Sequence, residues 1–463
     1  METRIESDKH GPEEIPIDAL WGLSTNRYQR HLRLTDFPVH PVMVKALTLV
    51  KKASATTNGI TGEIEPEIAD AIEKSCDRIL AGELHEQIVV DALHGSGGWG
   101  LTKNLSEVLA NAASKLLGGE PGSYKPVHPV EHVDLNQASY DTYITAMRLA
   151  ILLALDDLEA SLLDMERMLR RKSLQFDRVV KPGRINLKDS APITLGQELN
   201  AYGSTIERAL RRLEGSRDIF REINLGGGDI GTGFNTSPKF QEMVVQELSK
   251  ICDQELKASD DHIRVGSSMT DFAHFSSSLK EAAIDLGKIA GDLRILSSGP
   301  GAGMAEIILD ARLEASPLVE SLLMLCHRIA GNDLSVSLAV ASGNLQSNSA
   351  TPLIIDKILE SMELLQRAGT AFVGNCLAGL NTDQERCLAL TTNTAAFTDL
   401  LATEIGMEEA AIVVKNCRDQ DRDVKEYLLE SKILLPERIE TIFSHRFMTS
   451  PKRIIPFKKE GEE

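Results

Sequence analysis

Aromatic side chains make up only 4% of this 463-residue chain, with two Trp, six Tyr and twelve Phe. Leu, Ile, Val, Ala and Met must therefore fill the core, which favours packed helices over an aromatic-rich β-sandwich. A basic surplus is also missing. The 50 Lys and Arg are outnumbered by 68 Asp and Glu, leaving a net charge of −18. That argues against non-specific nucleic-acid or membrane binding and for solubility. No apolar run reaches the ~18 residues of a membrane span. The opening METRIESDKHGPEEIP has no apolar centre, so no signal peptide is expected. The six cysteines (Cys76, Cys252, Cys326, Cys376, Cys387, Cys417) are scattered, and no pair has metal-ligand spacing. Free thiols in a reducing cytoplasm are expected, with no metal site and no cofactor.

Gly and Pro are absent from Ala138 to Ser173. A helix of that length is roughly 54 Å long at 1.5 Å per residue. Its apolar residues (Ile144, Met147, Leu149, Leu152, Leu155, Leu158, Leu162, Met165) recur at helical spacing. Further long helices are expected over 195–220, 238–256, 267–296, 317–342 and 352–380. Pro238, Pro317 and Pro352 stand where the missing N–H of a first helical residue costs nothing. Helices this long suit a bundle that also packs between subunits. Residues 1–35 read as an irregular arm, and 39–117 as medium helices broken by HGSGGWG (94–100). Short helices are expected over 407–417, 422–430 and 436–443. The chain is therefore divided into an N-terminal domain (1–137), a central long-helix bundle (138–396) and a small C-terminal helical domain (397–463).

The stretch KPGRINLKDSAPITLGQE (181–198) is built like an active-site loop, with Pro192 expected to open a new helix. Yet it has no histidine, no cysteine and no obvious acid–base pair. Its neighbours carry the more specific signal. NLSEVLANAASKLLGG (104–119), HPVEHVDLNQASYDTYITAM (128–147), GRINLKDSAPITLGQE (183–198), GGGDIGTGFNT (226–236), SSGPGAGMAEI (297–307) and GNDLSVSLAVASGN (331–344) follow in that order. In order, spacing and wording they resemble the aspartase/fumarase superfamily, above all its aspartase and class II fumarase branch. The resemblance implies a mainly α, three-domain protomer with a central long-helix bundle. It also implies a homotetramer with one large helical core and active sites shared between subunits.

The family reaction is a β-elimination from a four-carbon diacid. It needs a base beside one carboxylate, donors around the resulting carbanion, and cationic or amide groups on the other carboxylate. The motifs that supply these are degenerate here. In GGWGLTKN (97–104) Asn104 matches, but Trp99 and Leu101 replace small or hydroxyl-bearing residues and Lys103 replaces a hydroxyl. The Ser-Ser/Thr-Asn motif has become Ala138-Ser139-Tyr140, before Asp141. The Thr-His that follows Gly-Arg has become Ile185-Asn186. The mobile Ser-Ser loop, whose serine is the family base and whose Lys and Asn hold a carboxylate, is missing between SSGP and Ser316-Pro317. Losing a general base costs about 10²–10⁴ in rate, and one oxyanion donor about 10²–10³.

Two readings follow. In the first, the protein is aspartate ammonia-lyase-like but non-catalytic: a scaffold, regulator or partner subunit, as a homotetramer or with an active paralogue or another protein. In the second, it is a lyase of altered substrate, with Tyr140, Lys103 or Lys188 as base. A cation beside the Tyr140 phenol would lower its pKa. The pocket positions equivalent to the family site are Trp99, Leu101, Asn104, Ala138, Ser139, Tyr140, Ile185 and Asn186. Trp99, Leu101 and Ile185 are expected to plug the cleft. Asn104, Ser139 and Asn235 also fit a role in holding loop backbones. His128 and His132 read as polar neighbours rather than a metal site. GGGDIGTG follows a helix and lacks a Lys-Ser/Thr ending, so it is not a nucleotide loop. GEIEPEIADAIEKSCDRI (62–79) reads as a capped amphipathic helix.

Overall fold

The computed structural model describes residues 2–309 and 316–451. The chain is mainly helical. In chain order, β1 (Thr3–Asp8) and β2 (Gly11–Pro16) precede α1 (Leu23–Leu32), α2 (Pro41–Thr61), α3 (Pro66–Leu80), α4 (Trp99–Leu116) and the long α5 (Ser139–Gln175). Then come β3 (Val180–Ile185), β4 (Lys188–Thr194), α6 (Leu195–Glu214), α7 (Arg217–Arg221), β5 (Glu222–Ile223), α8 (Pro238–Cys252) and β6 (Lys257–Ala258). They are followed by α9 (His262–Ser267), α10 (Thr270–Leu296), β7 (Ile307–Ile308), α11 (Ser316–Ala341), α12 (Thr351–Phe372) and β8 (Asn381–Thr382). The last helices are α13 (Gln384–Thr392), α14 (Ala395–Ile405), α15 (Met407–Asp419), α16 (Val424–Ser431), α17 (Pro436–Ile442) and α18 (His445–Thr449). The strands form two-stranded sheets only. Among the described residues no helix is long and apolar enough to cross a membrane.

Two compact units emerge. The first comprises Met1–Ala160, Arg211–Ala283 and Cys326–Gln366, the second Ser161–Leu210, Ile284–Leu325 and Arg367–Glu463. In the first, α2 packs on α3 and α8, and α4 on α1 and α3. In the second, the β3–β4 hairpin packs against α13, α14 and α18. The apolar residues that recur along α5, from Ile144 to Met165, are all buried. Phe397, Leu401, Val413, Leu428 and Ile442 form a core of their own near the C-terminus.

Several expectations need correction. Residues 1–35 are not irregular. They form an antiparallel hairpin, β1 on β2, and then α1. Arg4 locks the hairpin by donating to the carbonyls of Ala19 (2.6 Å) and Trp21 (2.8 Å). The buried Glu107 carboxylate accepts from the N–H groups of Gly22 (2.8 Å), Ser24 (2.9 Å) and Thr25 (3.1 Å), capping α1 from another helix. The 181–198 stretch is not an open loop either. It is a hairpin whose two turn residues, Asn186 and Leu187, have φ of 53° and 61°, as a tight primed turn requires. Pro192 lies within β4, opposite Pro182. The helix starts three residues later because Thr194 and Gln197 form a reciprocal box, Gln197 N–H to Thr194 Oγ1 (3.0 Å) and Thr194 N–H to Gln197 Oε1 (2.9 Å). The helix expected over 195–220 breaks at Gly215-Ser216, and that over 352–380 ends in a π-helical turn (Val373–Leu377). Helix α3 matches the 62–79 expectation in position, but Glu65 at its start makes no side-chain cap.

Candidate functional site

The first unit holds the Gly-rich turn and the start of α5. In the turn, Gly97 and Gly98 have φ of 60° and 94°. A Cβ on Gly98 would meet the Tyr143 ring at 2.1 Å, and one on Gly97 the Tyr140 ring at 3.0 Å. Two tyrosine rings from α5 thus rest directly on this backbone, and the glycines permit it. The Tyr140 hydroxyl donates to Gly266 O (2.9 Å) and accepts from Asn348 N–H (2.7 Å). It bridges α9 to the turn before α12. Burial raises the Tyr140 pKa, against a lowering by the Asn348 N–H.

Its neighbour Asp141 is fully buried and accepts from the N–H groups of Ala138 (3.0 Å), Gly226 (3.2 Å) and Gly228 (2.9 Å). The GGGDIGTG run is therefore clamped onto the first turn of α5. Burial pushes Asp141 up to about 6, although these donors work the other way. Ser139 is the first residue of α5 and is half-buried. Asn235 is exposed, with φ of 64°.

Lys103 does not sit as a cation on the phenol. Its ammonium pairs with Asp134 (2.7 Å), which also takes Lys51 (2.6 Å) and the Ser106 hydroxyl (2.5 Å). Burial disfavours the Asp134 carboxylate, but Lys51 and Lys103 outweigh it and hold its pKa low. The expected cation-lowered phenol is thus overturned: the cation is committed elsewhere and the pKa moves up. Asn104 is fully buried and ties α4 to the preceding loop, accepting from Val89 N–H (2.9 Å) and donating to Gln87 O (3.0 Å). That is a backbone-holding role.

The expected plug is corrected too. Leu101 is fully buried in the core, so it lines no open cleft. Trp99 is 37% exposed, with its ring 5.8 Å from that of Tyr28. Ile185 belongs to the second unit, at the hairpin end, and is 67% exposed. Asn186 and Lys188 beside it are exposed. His128 caps the π-helical turn Pro129–Val133, accepting from the N–H groups of Val130 (3.1 Å) and Glu131 (3.2 Å). His132 Nδ1 accepts from His128 N–H (2.8 Å). Both act as polar neighbours.

The second unit also contains charges that composition alone did not mark. Buried Lys181 bonds Glu198 (2.8 Å) and lies 3.1 Å from the fully buried Glu306, which also takes Arg184. The pattern K-x-x-R followed by E is a signal in the sequence, but the second acid is far along the chain. Strand β7 ends at Ile308 and α11 begins at Ser316. The place of the missing Ser-Ser loop falls at 310–315, outside the described residues.

Residues 11–316 match the family described as Lyase. The chain is 37% identical to the aspartate ammonia-lyase of Pseudomonas aeruginosa over 468 residues, covering 98% of each. It is 31% identical to the class II fumarate hydratase of Bacillus cereus, covering 98% of this chain and 100% of the relative. A Brucella melitensis protein described as fumarate lyase:delta crystallin, bound to cobalt, superposes with a TM-score of 0.90 at 36% identity, covering 97% of this chain and 100% of that one.

Proposed function

The chain belongs to this lyase family, in the aspartase/fumarase superfamily, and from that premise we propose that it is a member without the family's β-elimination. It serves as a cytoplasmic scaffold, regulator or partner subunit, in a homotetramer or together with an active paralogue. The observation that carries this reading is the connection into α11. Only residues 310–315 (DARLEA) separate Leu309 from Ser316. That stretch has no Ser-Ser, no Lys and no Asn, so it cannot supply the family base or its carboxylate anchors.

The motif positions that remain have other work. Asn104 holds a loop, the Tyr140 hydroxyl staples two segments, and Lys103 neutralises Asp134. None of these three is a free base near a free donor. The losses are not additive, because groups that act as a unit fail as a unit. Together they remove the parent reaction. With excess purified protein, aspartate is expected to give no fumarate above background, read by fumarate absorbance, and fumarate is expected to give no malate. A turnover near the enzyme median of about 10 s⁻¹ overturns the proposal.

A further inference from the structure

The second unit has a cavity of about 330 Å³ between the β3–β4 hairpin and the C-terminal half of α10. Its polar wall carries both signs, with Lys181, Arg184, Lys288, Glu198 and Asp292 in the lining and the fully buried Glu306 outside it. Lys181 faces Glu198 at 2.8 Å, Arg184 faces Glu306, and Lys288 faces Asp292. Asp292 is further fixed by the Tyr202 hydroxyl (2.7 Å), and the Lys288 ammonium lies 4.7 Å from the centre of the Tyr202 ring. Asn186, at the hairpin turn, adds an amide. The rest of the lining is aliphatic: Leu187, Ile295, Leu296 and Met304.

We propose that this cavity binds a small zwitterion with an aliphatic tail, namely an α-amino acid of the leucine or methionine type. The charge balance selects it. Every fixed charge here already has a counter-charge, so a dianion or a free amine adds charge without compensation in a partly desolvated space. A zwitterion adds none. Its carboxylate meets Arg184, Lys181 or Asn186, and its ammonium meets Glu198 or Asp292. Its side chain covers the aliphatic wall, removing apolar surface from water. The Lys181–Glu198 and Arg184–Glu306 pairs are mostly buried and held before the ligand arrives, which lowers the ordering cost of binding.

The inference goes beyond the loss of elimination and does not depend on it. Binding is read by calorimetry and elimination by fumarate absorbance, so either can fail alone. The full chain is titrated with L-leucine, and in parallel with succinate, isovalerate and isoamylamine. L-leucine is expected to bind, and the three partial mimics to bind at least about tenfold more weakly. Ile295→Trp fills the cavity from a partly exposed position and is expected to weaken leucine binding at least about tenfold. Asp292→Asn, which keeps the shape and removes one counter-charge, is expected to weaken it too and serves if Ile295→Trp loses helicity. No heat with millimolar leucine overturns the proposal. So does succinate binding more tightly than leucine, or leucine binding that is unchanged in both variants.

Discussion

Replacing Tyr140 by Phe separates a staple from a reagent. The ring and its seat on Gly97 are kept, so packing changes little. Only the hydroxyl goes. It leaves Gly266 O and Asn348 N–H without their partner, at 2.9 and 2.7 Å in the wild type. Both residues are buried, so water does not replace the lost bonds at no cost. An orphaned buried donor or acceptor costs about 1–3 kcal/mol, against about 1 kcal/mol for an ordinary net hydrogen bond. A total loss of about 2–3 kcal/mol is therefore expected. For a unit of this size that lowers Tm by a few degrees. The assay is thermal and urea unfolding of wild type and Tyr140→Phe side by side, with m unchanged if only the native state is affected. A Tm equal to wild type, together with loss of some measurable turnover, would refute the reasoning. The phenol would then be a reagent and not a structural bridge.

Two buried carboxylates predict opposite pH responses. Asp134 has its pKa held below 3.8, so the stability it contributes is present above that value and is lost as the pH falls through its folded pKa. Asp141 is pushed up from 3.8 to about 6, so its contribution is full below 3.8 and is lost as the pH rises through about 6. Unfolding of Asp134→Asn and Asp141→Asn from about pH 3 to 7 checks both signs; parallel curves would show that neither group titrates as described. For assembly, light scattering at micromolar concentration is expected to return a homotetramer, and a stable monomer would count against the shared long-helix core.

How much was legible in the sequence follows from the range of the interactions. Period and breakers are local. The absence of Gly and Pro from 138–173 and the spacing of its apolar residues foretold α5 almost to its ends, because helix formation depends on neighbours three and four apart. Pro238 and Pro317 likewise stood at helix starts. The missed C-terminal helices α13 and α14 had local signals as well: Asp383 caps Arg386 N–H and Thr394 caps Phe397 N–H. The Thr194–Gln197 box was equally present in the letters and outweighed the Pro at 192.

The sequence by itself determined the helical class and the family resemblance. Those rest on residue order. What each kept residue does was decided only in three dimensions. Lys103 is 31 positions from the Asp134 that neutralises it, and the Tyr140 hydroxyl reaches 126 positions to Gly266 and 208 to Asn348. Glu107 caps a helix more than 80 positions upstream. Side-chain identity states which bonds a group is able to make. Only the packed chain states which partner arrives first, and in a desolvated interior a filled hydrogen bond removes that group from any other chemistry.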